Sequence, residues 1–98
     1  MKEISSSIKR KVLDDIKAVP IIAKHISKVG EHIGSQSLYF APICIWNKSI
    51  EIKVDIRRDV FKKALAEFVE RNSNCVSGAR FIYNGDSCPY IWIGLKED

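Results

Sequence analysis

The sequence lacks the features that mark membrane and secreted proteins. No stretch approaches the ~18 consecutive apolar residues that a membrane-spanning helix needs, and no continuous apolar segment of the signal-peptide type follows Met1. The three cysteines, Cys44, Cys75 and Cys88, are odd in number and include no C-x-x-C pair, which predicts reduced thiols rather than a disulfide framework. We therefore expect a cytoplasmic protein with no membrane partner.

Motifs for catalysis and nucleotide binding are also absent. The five glycines form no G-x-G-x-x-G fingerprint, no P-loop and no nucleophile elbow. His25 and His32, if they share one helix, lie about 10 Å apart, which is too far to hold a metal without other ligands. Cys44 has no histidine or aspartate close in sequence to activate its thiol. The sequence therefore predicts neither a cofactor nor a metal site, and it favours a function other than catalysis.

Disorder and low complexity are excluded by the composition. The 98 residues are 46% hydrophobic and 29% charged with only three prolines, which is ordinary globular usage and predicts a single domain over residues 1–98. Lysine and arginine outnumber aspartate and glutamate by 16 to 12. The resulting charge of +4 permits an anionic partner without requiring one.

Apolar residues recur at helical spacing in three segments. The first segment, with serine N-cap candidates before it, predicts a helix over about Ser6–Ala18. Pro20 suits the first turn of a helix, so a second helix is predicted to open there and to stop near Gly34. Asp59 is the N-cap candidate of a third amphipathic helix, which Asn72 and the residues after it close.

Two strands of a hairpin are predicted between the second and third helices. Leu38–Trp46 is almost wholly apolar, and Ser49–Ile56 alternates strictly between apolar and charged residues. A two-residue turn at Asn47-Lys48 gives an all-apolar face, with the pairs Ile45–Ile50, Ile43–Ile52 and Ala41–Val54. Pro42 lacks an amide donor, so its strand is expected at an edge or at a bulge.

A second hairpin is predicted at the end of the chain. Ala79–Tyr83 and Cys88–Leu95 flank an Asn-Gly turn signal in residues 84–87. A four-residue loop would pair Tyr83 with Cys88, Phe81 with Tyr90 and Ala79 with Trp92. The order α-α-β-β-α-β-β then predicts an α+β fold with a four-stranded, mainly antiparallel sheet and helices packed on one face.

These registers give the predicted sheet two different faces. One face is aliphatic and requires cover from the helices. The other collects six of the nine aromatic residues among charged neighbours: Phe40, Trp46, Phe81, Tyr83, Tyr90 and Trp92. Three kinds of cover fit such a face, namely the protein's own helices as a second core layer, a partner protein or second copy, and stacked bases of a single-stranded nucleic acid.

Two functions follow from this pattern as hypotheses. The first is a small non-enzymatic protein-binding module of the inhibitor, immunity or anti-defence kind, which masks a partner protein through the aromatic face or a strand edge. The alternative is a nucleic-acid-binding domain or small RNase-type toxin. Its cationic candidates are Lys9, Arg10, Lys11, Arg57, Arg58, Lys62 and Lys63. As a ribonuclease it would need dispersed groups such as Arg80, Tyr83, Tyr90 and Lys96 with a histidine. A homodimer is compatible with either function.

Overall fold

Three helices and four strands follow one another in the residues that the computed structural model describes, which are 4–27, 42–85 and 88–96. They are α1 (Ser6–Lys17), α2 (Pro20–Ala23), β1 (Ile43–Ile45), β2 (Ser49–Lys53), α3 (Lys62–Arg71), β3 (Val76–Ile82) and β4 (Tyr90–Leu95). The strands form one sheet of order β1-β2-β4-β3, and every neighbouring pair is antiparallel. The predicted α+β class and element order are confirmed.

The first and third helices lie close to their predicted positions. Helix α1 begins after Ser5, whose hydroxyl oxygen accepts a hydrogen bond from the Ile8 amide at 3.3 Å, as expected of an N-cap. Helix α3 begins at Lys62 with Phe61 at the N-cap position, later than expected for an Asp59 N-cap. The Asp59 carboxylate accepts the Phe61 amide at 3.0 Å in the preceding turn. Asn72 ends α3 as predicted.

The second helix is much shorter than predicted, and the expectation that it extends to Gly34 is wrong. Helix α2 ends at Ala23, and Ile26 then forms an antiparallel bridge with Val54, just beyond β2. The Ser27 amide donates to the Lys53 carbonyl at 2.8 Å. The apolar pattern around Ile26 is compatible with a helix and with a short strand, so periodicity alone does not predict which of them forms. Pairing with Val54 in the sheet determines that it is extended. Val29, His32 and Ile33, which the prediction placed on the same helix, lie outside the described residues.

The first hairpin has the predicted turn and register. Ile43 pairs with Ile52 and Ile45 with Ile50, and the Trp46 amide donates to the Ser49 carbonyl at 2.8 Å across the two-residue turn. Strand β1 is at the edge of the sheet, as the proline at position 42 predicted. The part of the predicted strand over residues 38–41 lies outside the described residues, and with it the pair Ala41–Val54.

Pro42 also explains how the segment after α2 joins the sheet. The Lys53 amide donates to the Pro42 carbonyl at 2.8 Å, and in an antiparallel pair of this type the Lys53 carbonyl would accept an amide from the opposite residue. Proline has no such amide. The Lys53 carbonyl therefore accepts from Ser27, and the sequence after α2 continues the edge of the sheet where β1 begins.

The second hairpin is confirmed, but its predicted register is wrong by one residue. Phe81 pairs with Ile91 rather than with Tyr90, and Ala79 pairs with Ile93 rather than with Trp92. A shift of one residue exchanges the faces of a strand, so Phe81 points to the core side. There its ring lies 5.8 Å from the ring of Phe61. The connection from Ile82 to Tyr90 is longer than the four-residue loop assumed, which is why the counted register failed.

The hydrophobic core lies on one side of the sheet, between the aliphatic face and the helices. Its fully buried side chains come from both: Val12, Ile16, Ile22, Ile50, Ile52, Phe61, Phe68, Val76, Ile91 and Ile93. A polar contact closes one end of this core. The buried Asn72 side-chain amide donates to the Phe68 carbonyl at 3.1 Å and to the carboxylate of Asp15 on α1. Arg71 lies 3.6 Å from the same carboxylate, so α1 is fixed to the end of α3.

Candidate protein-binding surfaces

The side of the sheet away from the core carries large aromatic side chains together with charges of both signs. We call this surface the mixed face. Its described members are Cys44, Trp46, Glu51, Lys53, Arg80, Ile82, Tyr90 and Trp92. Compared with the predicted aromatic face, the corrected register removes Phe81 and adds Arg80 and Ile82. Phe40 lies outside the described residues, and Tyr83 is half-buried in the connection after β3.

One row of residues crosses the centre of the mixed face. Cys44, Glu51, Trp92 and Arg80 lie directly opposite one another on the four strands. The guanidinium carbon of Arg80 lies 5.4 Å from the centroid of the Trp92 ring, which is within the range of a cation–π interaction. Arg80 is exposed, whereas Glu51 and Trp92 are half-buried. The row therefore presents an acidic group beside a preorganised arginine–tryptophan pair.

The Trp92 ring is held against the sheet by a glycine. A Cβ atom added to Gly94 would lie 2.5 Å from Cη2 of Trp92 and 2.5 Å from the Ser77 hydroxyl oxygen. The space above Gly94 is thus filled by the indole ring itself. The absence of a side chain at this position lets Trp92 lie along β4, where Arg80 meets it.

The end of the first hairpin exposes two adjacent hydrophobic residues. Ile45 is 50% exposed and Trp46 is 44% exposed, and they are the large hydrophobic side chains with the greatest exposure in the described part of the chain. Ile45 points to the core side but stays half exposed there, and Trp46 belongs to the mixed face. A contact surface on the mixed face can therefore extend onto this hairpin end.

The described helices do not supply a second core layer over the mixed face. The buried side chains of α1, α2 and α3 all belong to the single core on the other side of the sheet. Tyr90 and Trp92 are half-buried and are not part of that core. Of the three kinds of cover considered from the sequence, the described residues therefore do not show the first.

The cationic candidates lie on two separate parts of the chain. Lys9, Arg10 and Lys11 are on α1, and the others are in the segment before α3 and in its first turn. Arg10 lies 3.5 Å from Asp14 in an exposed pair, which reduces the local positive field. None of them belongs to the mixed face.

Two of the groups proposed for a ribonuclease, Arg80 and Tyr90, lie on a different face of the sheet from the described histidine. The His25 ring packs edge-on against Phe61 at 6.0 Å, and its Nδ1 atom lies 2.9 Å from the Asp55 carboxylate. Arg80 and Tyr90 lie on the mixed face instead, and His32 is outside the described residues. Within residues 4–27, 42–85 and 88–96, no three histidine, cysteine or acidic side chains lie close enough to hold a metal ion.

A second surface, not found from the sequence, is a groove of about 610 Å³ between α3 and the outer edge of β3. We call it the α3–β3 groove. It is lined by Asp59, Lys62, Leu65, Ala66, Val69, Gly78, Ala79, Arg80 and Phe81. No local sequence pattern predicts this groove, because it exists only if β3 is at the edge of the sheet. That strand order follows from the pairing of β2 with the distant β4.

Across the described ranges, no helix is long and apolar enough to span a membrane. No protein-family model matches the chain, and no curated protein or solved structure matches it either.

Proposed function

We propose that the chain is a small non-enzymatic protein-binding module that masks a partner protein with its mixed face, in the manner of an inhibitor, immunity or anti-defence protein. The supporting observation is that Trp46, Tyr90 and Trp92 remain partly exposed on the side of the sheet opposite the core. Tyrosine, tryptophan and arginine are the residues that most often dominate binding energy at protein interfaces. The cation–π contact holds two such residues, Arg80 and Trp92, in place before binding, which lowers the entropic cost of association.

The charges of the mixed face favour a protein over a nucleic acid. Glu51 occupies the central row between Cys44 and Trp92, and Lys53 and Arg80 lie near it. A phosphate backbone would meet repulsion from Glu51, whereas a protein surface can offer a cation to it and carboxylates to its neighbours. Charges of both signs therefore suit a specific protein partner.

We place this function in the cytoplasm. Cys75 is a buried free thiol and Cys88 an exposed one. Thiols persist in reducing compartments, whereas secreted domains of this size usually carry disulfides. This supports the location inferred from the sequence.

The test uses the full chain as bait in extracts of its source cells, with captured proteins identified by mass spectrometry. Removal of an interface hot spot costs 2 kcal/mol or more, so Trp46→Ala should weaken capture of the partner by about thirtyfold. Lys11→Ala, on the exposed side of α1, is the control and should capture the same protein as the unmodified chain. Equal capture by both variants would place the interface elsewhere.

A single-stranded nucleic-acid-binding domain, including an RNase-type toxin, is the second candidate. One observation favours it, namely that Arg80 and Trp92 form a stacked pair on a sheet surface, where bases could stack. Labelled single-stranded RNA and duplex DNA should be titrated at two salt concentrations. If the chain binds RNA, the affinity falls steeply with salt, and Trp92→Ala abolishes binding, then the nucleic-acid function is correct and the protein-binding proposal is wrong. No binding at low ionic strength would eliminate the nucleic-acid candidate.

A further inference from the structure

We propose that the α3–β3 groove binds an acidic, extended segment of a partner protein, which adds a strand to the sheet along the outer edge of β3. This site goes beyond the masking function of the mixed face, because it lies on another edge of the sheet and recognises main chain as well as side chains. Three features of this edge support strand addition: the outward direction of main-chain groups on β3, the apolar lining of the groove, and its positive charge.

The hydrogen bonds of β4 establish which of its main-chain groups face β3. The Leu95 amide donates to the Lys48 carbonyl at 2.9 Å, and the Val54 amide donates to the Pro89 carbonyl at 3.0 Å. These bonds alternate along an antiparallel ladder, so odd-numbered residues of β4 direct their main-chain groups to β2. The even-numbered residues, including Trp92, direct theirs to β3.

The same alternation identifies the main-chain groups that β3 presents at its outer edge. Arg80 pairs with Trp92 and Ile82 with Tyr90, so their amides and carbonyls face β4. The amides and carbonyls of Ala79 and Phe81 therefore point away from the sheet. In the part of the chain that the structure describes, no segment pairs with this edge. An extended peptide can bind such an edge by main-chain hydrogen bonds.

The lining of the groove suits the side chains of an added strand. Leu65 and Val69 of α3 form one wall, and Ala79 and Phe81 line the opposite side from the core face of β3. Alternate side chains of an extended segment point to the same face, so every second residue would enter this groove. Its volume of about 610 Å³ accommodates several aliphatic side chains.

The charge at the groove favours an acidic segment. Two cations, Lys62 and Arg80, line it with a single carboxylate, that of Asp59, so the positive charge prevails. The N-terminal end of α3 adds a partial positive charge at the same place. A second copy of this chain is disfavoured as the occupant, since each copy has a charge of +4.

The first experiment selects peptides with the full chain as bait. The probe is a displayed library of random peptides of about ten residues, which exceeds the ~5–6 residues of a typical strand. We expect enriched sequences in which apolar residues alternate with others and which contain aspartate or glutamate. Enrichment of basic or proline-rich sequences, or no enrichment above a control without bait, would overturn the proposal.

Strand addition is then tested on the main chain of the most enriched peptide. Two versions carry N-methyl groups on the odd-numbered or on the even-numbered residues. Only one set of amides can face β3, so one version should lose binding by tenfold or more, while the other keeps its Kd within about twofold. Equal tolerance of both modifications would contradict strand addition.

The position of the peptide is tested by a matched pair of charge reversals. Lys62 and Lys63 are adjacent and exposed in the first turn of α3, but only Lys62 lines the groove. We expect Lys62→Glu to weaken binding of the acidic peptide by about three- to tenfold and Lys63→Glu to weaken it less. Equal weakening would mean that the peptide responds only to net charge, and the groove would not be its site.

Ala79→Pro tests the outer amide directly. Its amide points away from the ladder, so proline there removes a donor for the added strand without removing a bond to β4. Binding should fall by about tenfold. If circular dichroism shows that this variant is unfolded, the N-methylated peptides still decide the question.

Arg80 lines the groove and also belongs to the mixed face, whereas Trp46 does not line the groove. Trp46→Ala should leave the peptide Kd unchanged, so either proposal can fail while the other stands. Sedimentation of the chain without peptide tests whether a second copy of the chain occupies the groove. A concentration-dependent dimer that the peptide dissociates would show that a second copy occupies β3, and the proposal would then be wrong.

Discussion

At the scale of single residues, the side chains around Gly94 leave no room for a larger residue at that position. The Trp92 ring and the Ser77 hydroxyl occupy the space where a Cβ atom would lie. This requirement was not visible in the sequence, because the position of a ring over a neighbouring residue depends on side-chain conformation. The alternation that placed Trp92 on the mixed face was visible, since it needs only the period of a strand.

We predict that Gly94→Ala destabilises the fold by about 1–3 kcal/mol, because the Trp92 ring and the Ser77 side chain must move to admit the methyl group. Urea unfolding measures the loss. Gly78→Ala is the matched control, since an added Cβ there meets no atom within 4 Å, and it should change stability by no more than about 1 kcal/mol in either direction. An equal cost for the two substitutions would contradict this account of Gly94.

At the scale of elements, the predictions succeeded where contacts are local and failed where distant segments decide. The helical period found α1 and α3, and the turn at Asn47-Lys48 fixed the register of the first hairpin. The second hairpin has a longer connection than assumed, so the register predicted from its turn was wrong by one residue. In the observed register, Phe81 points to the core and contacts Phe61. The end of α2 depends on the Ile26–Val54 bridge, which joins segments far apart in sequence.

The contact between α1 and α3 gives a prediction at this scale. Asn72→Ala leaves the Asp15 carboxylate and the Phe68 carbonyl without their side-chain donor, and we expect a loss of about 1–3 kcal/mol of stability. A double-mutant cycle with Asp15→Ala should give a coupling energy of at least about 0.5 kcal/mol. Asp14→Ala breaks only the exposed pair with Arg10 and should cost about 0–1 kcal/mol. Additive effects of Asn72→Ala and Asp15→Ala would show that the two side chains do not act together.

At the scale of the whole molecule, the core lies on one side of the sheet, and the other side carries partly exposed side chains. The sequence predicted two unlike faces and assigned the helices to the aliphatic one, but it left open whether helices also cover the other face. It also did not reveal the α3–β3 groove, because strand order follows from long-range pairing that no local pattern encodes.

This one-sided core predicts a large difference between two aromatic truncations. Phe68→Ala, which empties a fully buried position, should cost about 3–5 kcal/mol in urea unfolding. Trp46→Ala, at a side chain that is 44% exposed, should change stability by no more than about 0.5 kcal/mol. A loss at Trp46 comparable to that at Phe68 would mean that this tryptophan serves the fold rather than a partner.

The missing amide of Pro42 has a consequence for the order of folding. The first hairpin joins residues close in sequence, whereas the bridge between Ile26 and Val54 joins residues 28 positions apart (54 − 26). Local contacts form faster than distant ones, so we expect the hairpin to form first, with the Lys53 carbonyl still available. The segment after α2 would then dock last and open first, and in hydrogen exchange the Ser27 amide should lose its protection before that of Lys53, which donates to the Pro42 carbonyl across the first hairpin.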